Sequence, residues 1–370
     1  MAVDHHCHPL RRWPFTLTAL DLRAVFTEAI DPQIAQEHVP HTAAYRIALR
    51  RLADELGCEP EENAVLAARN AADPAAYARR LLGRSRTGML LLDCGFTGGD
   101  AYPFEEHAAA TGLPQREIVR VETLAESLVR ESATAGEWFA RVRAALRDAV
   151  ARGAVGVKTI CAYRASLWLR PVDDDFLAIA FTRLRTLAEE NETVRVNGDN
   201  LCHALLFEAA QECRALDVPL QVHCGFGDPD EDLAEASPLG LRPLFTDSAY
   251  AGLRVVLLHC YPFHREAAYL CSVFPGVRMD LSLAIPMAAL DGGRALREAL
   301  GLCPWSKLLY ASDATRFPEV YFVAAQAHRE ALADAFGELV SRRGLSREGA
   351  LAAGRQVLAG NARSLYRLAP

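Results

Sequence analysis

Eight short, apolar, strand-like runs recur along the chain with helical stretches between them, and this alternation limits the possible folds more than any other feature. The runs are MAVDHHCH (1–8), TGMLLLDCGF (87–96), REIVRVET (116–123), GAVGVKTICAY (153–163), VPLQVHCGF (218–226), LRVVLLHCY (253–261), VRMDLSLAI (277–285) and KLLYASDA (307–314). Several are nearly continuous in Val, Ile and Leu, as parallel strands covered on both faces require. Among the intervening stretches, Tyr45, Leu49, Leu52 and Leu56 share one face of a helix that stops at Gly57. Residues 139–153 form a second helix that also ends at a glycine. Eight strands alternating with helices predict an α/β fold, a closed (β/α)₈ TIM barrel. The structural alternative, an open doubly wound sheet, wants a Gly-rich first turn, and HPLRRW offers none.

The first connection, 9–86, is far longer than an ordinary loop and carries helical segments, so it reads as a helical insertion after strand 1, at the barrel mouth. A second long connection runs over 167–215, where VDDDF (172–176) reads as a solvated helix start. Residues 1–370 then make one barrel domain. A chain of 370 residues, 51% hydrophobic, buries a large core unaided, so a metal ion would serve chemistry rather than folding. The net charge is −7 and basic residues are dispersed, which argues against nucleic acid as the main partner. The 10 cysteines form no CxxC pair and lie mostly in apolar runs, as buried reduced thiols do. MAVDHHCHPLRRWPF lacks the apolar core of a signal peptide, and no run is long enough to span a bilayer. A cytoplasmic protein without a membrane partner is expected.

The polar residues sit at the C-terminal ends of the strands, where TIM barrels carry their chemistry. Residues i and i+2 of a strand point the same way, so His6 and His8 point together into the barrel, while His5 and Cys7 point out toward the helices. His-x-His on a strand is a two-point clamp for a metal ion. Lys158 ends the fourth run, a costly place for an unpaired ammonium. His223 ends the fifth, His259 the sixth and Asp313 the eighth. A lone strand histidine is more often a hydrogen-bonded core residue. Five such coincidences in one barrel point instead to a joint metal site.

The set His-x-His, Lys, His, His, Asp on strands one, four, five, six and eight resembles the amidohydrolase superfamily (amidohydrolase family 2). GVKTICAYRASL, PLQVHCGFGDPDEDL, LLHCYPFHREAAYL, FPGVRMDLSLAIP, LLYASDATRFPEVYF and GNARSLYRL are similar to the amidohydrolase-type domain of FluG-like proteins, some of which are fused to a glutamine-synthetase-like part. That resemblance implies a binuclear centre: His6, His8 and Asp313 on one ion, His223 and His259 on a second, and Lys158 bridging both as a carbamate formed with CO₂. It implies two zinc ions, with manganese or iron as alternatives, and Asp313 as the catalytic base and acid. The expected reaction is hydrolysis of an amide or other C–N bond of a small polar substrate by metal-bound hydroxide. Two alternatives stand beside it: a decarboxylase or other lyase with one metal, and a barrel kept for binding alone.

Substrate contacts are expected from Tyr163 and Arg164, which follow Lys158 out of the fourth strand. Arg164 either clamps a substrate carboxylate or pairs with Asp228 or Asp280. Asp280 ends the seventh strand, where it either supports the metal residues from behind or faces the substrate. His264 and Arg265 start the helix after the sixth, within reach of the mouth. Arg120 and Glu122 share a strand face and are expected to pair with each other, and Gln221 to make a structural hydrogen bond. A small-molecule partner is expected, and self-association is left open.

Overall fold

The computed structural model describes residues 1–95 and 98–369. Phe96, the last residue of the second apolar run, lies outside them. Seven of the eight runs form strands, all parallel and in sequence order: β1 (Ala2–Cys7), β2 (Thr87–Asp93), β3 (Gln115–Arg120), β4 (Gly156–Thr159), β5 (Leu220–Cys224), β6 (Val255–His259) and β7 (Val277–Met279). The sheet curls on itself. The run 307–314 is not a strand but makes isolated contacts to both edges. Leu309 N–H donates to Met279 of β7 (3.0 Å), His5 N–H of β1 donates to Tyr310 (3.2 Å), and Asp313 N–H donates to His6 (3.0 Å). Asp313 has φ +52°, which takes this segment out of extended geometry and denies it a continuous ladder.

The strands sort their side chains by the period-two rule. In β6, Val256 and Leu258 join Val3, Leu91, Ile118 and Leu309 in a cluster on the inner face. Val255 and Leu257 instead belong to the large cluster that the outer helices share with the strands. At ~25 cal/mol per Å² of apolar surface, burial on both faces is what fixes the register.

Helical elements occupy the connection between β1 and β2, including Ala19–Ala24, Ala43–Leu56, Glu62–Ala71 and Pro74–Arg84. The helix Ala43–Leu56 begins at the Thr42 cap and ends at Gly57, whose φ of +70° suits a residue without a Cβ. The connection after β4 holds the helices Asp174–Glu190 and Asp199–Leu216, the first capped by Asp173 within the acidic run at 172–176. Among the described residues, no helix is long and apolar enough to cross a membrane.

Candidate metal centre

β1 departs from the simple alternation at the residues that matter. Asp4 pairs with Leu90 and Cys7 with Leu92, so β1 carries one extra residue, a bulge at His5 and His6. His5 is consequently not turned toward the helices as expected. Its Nε2 lies 2.8 Å from Asp280 Oδ2, its Nδ1 lies 3.2 Å from the Tyr366 hydroxyl, and its carbonyl accepts from Gln221 (2.8 Å). The bulge turns His5 and His6 inward in succession, and His8 follows two residues later. Cys7 packs outward against Leu10 and Leu22.

His6, His8, His259, Lys158 and Asp313 meet at one point. His6 Nε2 lies 2.9 Å from Lys158 Nζ and 3.1 Å from Asp313 Oδ1. His8 Nε2 is 3.6 Å from Asp313 Oδ1, and His259 Nδ1 is 3.7 Å from Asp313 Oδ2. Period two would point His259 outward, with Val255 and Leu257. Its φ of +65° twists the end of β6 and returns the ring to the mouth. Left-handed backbone at non-glycine residues costs of order 1–3 kcal/mol each and collects at functional sites. Here it occurs at both His259 and Asp313.

The ring orientations are set from behind. His8 Nδ1 lies 2.9 Å from the Asp93 carbonyl and His259 Nδ1 2.8 Å from Ser282 Oγ. Asp280 accepts from both the His259 N–H (2.8 Å) and the Ser282 hydroxyl (2.8 Å). Burial, with the charge of Lys158, pushes the His6 pKa down to about 3. Burial likewise holds His259 well below the usual histidine range and lowers Lys158 to about 8. The His6 and His259 imidazoles are therefore neutral, the form that ligates metal. Burial alone would raise Asp313, but the surrounding His259, His6 and His8 rings hold it well below the carboxylate range.

These donors fit a divalent ion. Two donors each about 2.1 Å from one ion lie roughly 3.0–3.4 Å apart at angles between about 90° and 109°. The 3.1 Å between His6 Nε2 and Asp313 Oδ1 falls in that range. His6, His259 and Asp313 form one compact donor group, and His6, His8 and Asp93 another. His6 Nδ1 and His223 Nε2 are buried with no hydrogen-bond partner. His223 Nε2 lies only 2.9 Å from Glu231 Oε2 without hydrogen-bond geometry. Such orphaned buried atoms are costly unless something joins them.

A cavity of about 270 Å³ opens onto this cluster, lined by His8, Lys158, His223, His259 and Asp313 and by Tyr163 and Arg164. Tyr163 packs on His223, ring centroids 4.3 Å apart. Arg164 pairs with neither Asp228 nor Asp280. Its Nε and Nη1 are buried and make no hydrogen bond.

The sequence profile described as Amidohydrolase matches residues 3–368. The chain belongs to the amidohydrolase family. It is 30% identical over 406 residues to protein fluG of Emericella nidulans, covering 99% of this chain but 45% of that protein, so it spans less than half of that relative. It superposes with TM-score 0.90 at 33% identity on a Lactobacillus casei ATCC 334 protein described as a metal-dependent hydrolase, covering 99% and 95% of the two chains. A uronate isomerase of Thermotoga maritima shares the fold at TM-score 0.66 and 12% identity, covering 99% of this chain and 94% of that one. The fold alone therefore does not choose between hydrolysis and isomerisation.

Three expected substrate residues lie elsewhere in this amidohydrolase. Asp280 is fully buried, and its carboxylate is occupied by His5, His259 and Ser282, so it supports the site from behind. His264 Nε2 (2.8 Å) and Arg265 Nε (2.9 Å) both bind Glu298, and neither lines the cavity. The helix His264–Val273 aims them at the helix Gly292–Ala299. Arg120 holds Asp93 (2.6 Å) rather than Glu122. Chain direction changes at the end of β3, and Glu122 instead accepts from Thr159 and the Ile160 N–H.

The sequence reading missed Asp93, Glu231 and Glu28. Asp93 ends LLLD as Asp313 ends its own run, so the same signal was present. Glu231 is one of several acids in GDPDED, and Glu28 lies deep in the long first connection, where nothing in the pattern singles either out.

Proposed function

We propose that this amidohydrolase is a metal-dependent hydrolase that cleaves an amide or other C–N bond of a small polar substrate. The observation that carries this reading is the meeting of His6, His8, His259, Lys158 and Asp313, linked by contacts of 2.9 to 3.7 Å, at the mouth of the curled sheet. In it, His6, His8, His223, His259 and Asp313 are the ligands. Lys158, once carboxylated by CO₂ with release of a proton, would be a further ligand available to both ions. Two ions, most simply zinc, would suit this histidine-rich donor set. A bound divalent ion would acidify water and polarise the carbonyl under attack.

The chain's own residues do the rest. Asp313, ionised and reaching three histidines, accepts the proton of the attacking water and returns it to the leaving nitrogen. Tyr163, beside His223, and Arg164 hold the substrate against the cluster. The segment 307–314 acts as an eighth stave that closes the barrel, and residues 9–86 act as an insertion at its mouth within a single domain. Glu28, from that segment, lines the cavity, in keeping with this placement.

The test is metal content per chain by mass spectrometry, on protein prepared with bicarbonate and Zn²⁺ or Mn²⁺, followed by amide screening. About two ions with amide turnover is the expected result. One ion, or none, removes the Lys158 bridge and favours a mononuclear lyase or a binding protein.

A further inference from the structure

The cavity wall beyond the metal cluster is unevenly charged. Arg195 is held by Asp230 (2.7 Å) and Arg120 by Asp93. Arg164 is left as a guanidinium whose buried Nε and Nη1 find no hydrogen-bond partner among the described residues. Glu28 and Asp228 line the same cavity, and neither forms an ion pair among the described residues. One unmatched cation and two unmatched acids thus face a single small space.

We propose that the substrate is a small zwitterion whose free carboxylate is bound by Arg164 and whose free primary ammonium is bound by Glu28 and Asp228. This rests on the hydrolase reading and names its substrate class: an amino-acid derivative bearing the C–N bond to be cut. The guanidinium fork matches a carboxylate with two parallel hydrogen bonds, and a buried unpaired donor gains most from such a partner. An ammonium supplies donors to both Glu28 and Asp228 and favours their ionised forms. The volume, about 270 Å³, lies at the small end of ligand pockets and suits a molecule of amino-acid size rather than a polymer. Arg164 also borders a second cavity on its outer side, with Ser166 and Glu235, which offers a route in from solvent.

The experiment is titration calorimetry on the metal-loaded full chain. The probes are L-asparagine, L-glutamine and glycylglycine, each beside its deamino analogue (succinamate, glutaramate, N-acetylglycine) and its decarboxy analogue (3-aminopropanamide, 4-aminobutanamide, glycine N-methylamide). At least one zwitterion should bind about tenfold or more tighter than both of its analogues. Arg164→Gln should reduce it to the level of the decarboxy analogue, and Glu28→Gln to that of the deamino analogue. Arg164→Lys, which keeps the charge and loses the fork, should fall between. Metal content and thermal midpoint serve as controls for folding. Analogues that bind within about threefold of their parents, or three zwitterions that all fail to bind, overturn the proposal. Loss of metal in Glu28→Gln also overturns it, by making Glu28 a ligand. Binding is read without turnover, so zwitterion binding with no hydrolysis overturns the hydrolase reading alone. Amide hydrolysis without charge preference overturns this one alone.

Discussion

Asp280 Oδ1 accepts the backbone N–H of His259 at 2.8 Å while its Oδ2 lies 2.8 Å from His5 Nε2. One buried carboxylate therefore fixes a strained strand end and anchors a second histidine behind the site. Asp280→Asn keeps the size but removes the charge that both partners face. It should weaken metal retention about 10- to 100-fold, as loss of a supporting contact to a ligand does. Metal content after graded dialysis reads this, and full retention would show that His259 holds its place unaided.

Asp313→Asn should lower kcat about 10²- to 10⁴-fold, the usual share of a positioned acid–base group. Substrate affinity measured by calorimetry should change little. A normal kcat would remove Asp313 from the proton path.

Lys158 is buried, 2.9 Å from His6 Nε2, with its pKa lowered by burial to about 8. Its amine is thereby more available to CO₂ at neutral pH than an ordinary lysine. Protein supplied with ¹³C-bicarbonate and metal should show a carbamate carbon by NMR that Lys158→Met lacks, and the variant should bind less metal. No carbamate signal in the metal-loaded wild type would exclude the bridge.

Gly227 sits where a Cβ would overlap the Tyr163 hydroxyl. Gly227→Ala should push Tyr163 off His223, raising KM several-fold with metal content unchanged. An unchanged KM would place Tyr163 outside substrate binding.

His107 and His328 lie away from the metal cluster, and burial lowers each to about 4. The unfolded value is about 6.5, so folding keeps protons off both. The stability they contribute is complete above about pH 6.5 and is lost as pH falls toward about 4, at up to about 1.4 kcal/mol per pH unit for each group. Urea unfolding between about pH 7 and 4.5 should show this slope, reduced in His107→Gln. An equal slope in that variant would assign the acid loss to other groups.

The alternation of apolar runs disclosed the parallel strands and their order because burial on both faces leaves a strong, local signal. The strand-end residues His6, His8, Lys158, His223, His259 and Asp313 were legible for the same reason: a polar group that closes an apolar run stands out. What failed was the direction of side chains where the backbone stops being regular. His5 turned inward through a bulge that a period-two reading cannot contain. His259 does face the cluster as expected, but through a left-handed residue rather than through the alternation. His264 and Arg265 were placed by sequence distance from β6, whereas the pitch of their helix carried them to Glu298. Glu28 was invisible because a residue in a long connection acquires its neighbours only from tertiary packing.

Asp4 grips Ser312 through two hydrogen bonds, and His6 receives the N–H of Asp313. The first ligand pair and the final carboxylate are thus separated by some three hundred residues of chain, and their contact is the last of the site to be made during synthesis. A growing chain on the ribosome exposes His6 and His8 early but has no Asp313 to complete the cage. Any ion held by these residues would accordingly be selected by the finished fold and not by the nascent histidines.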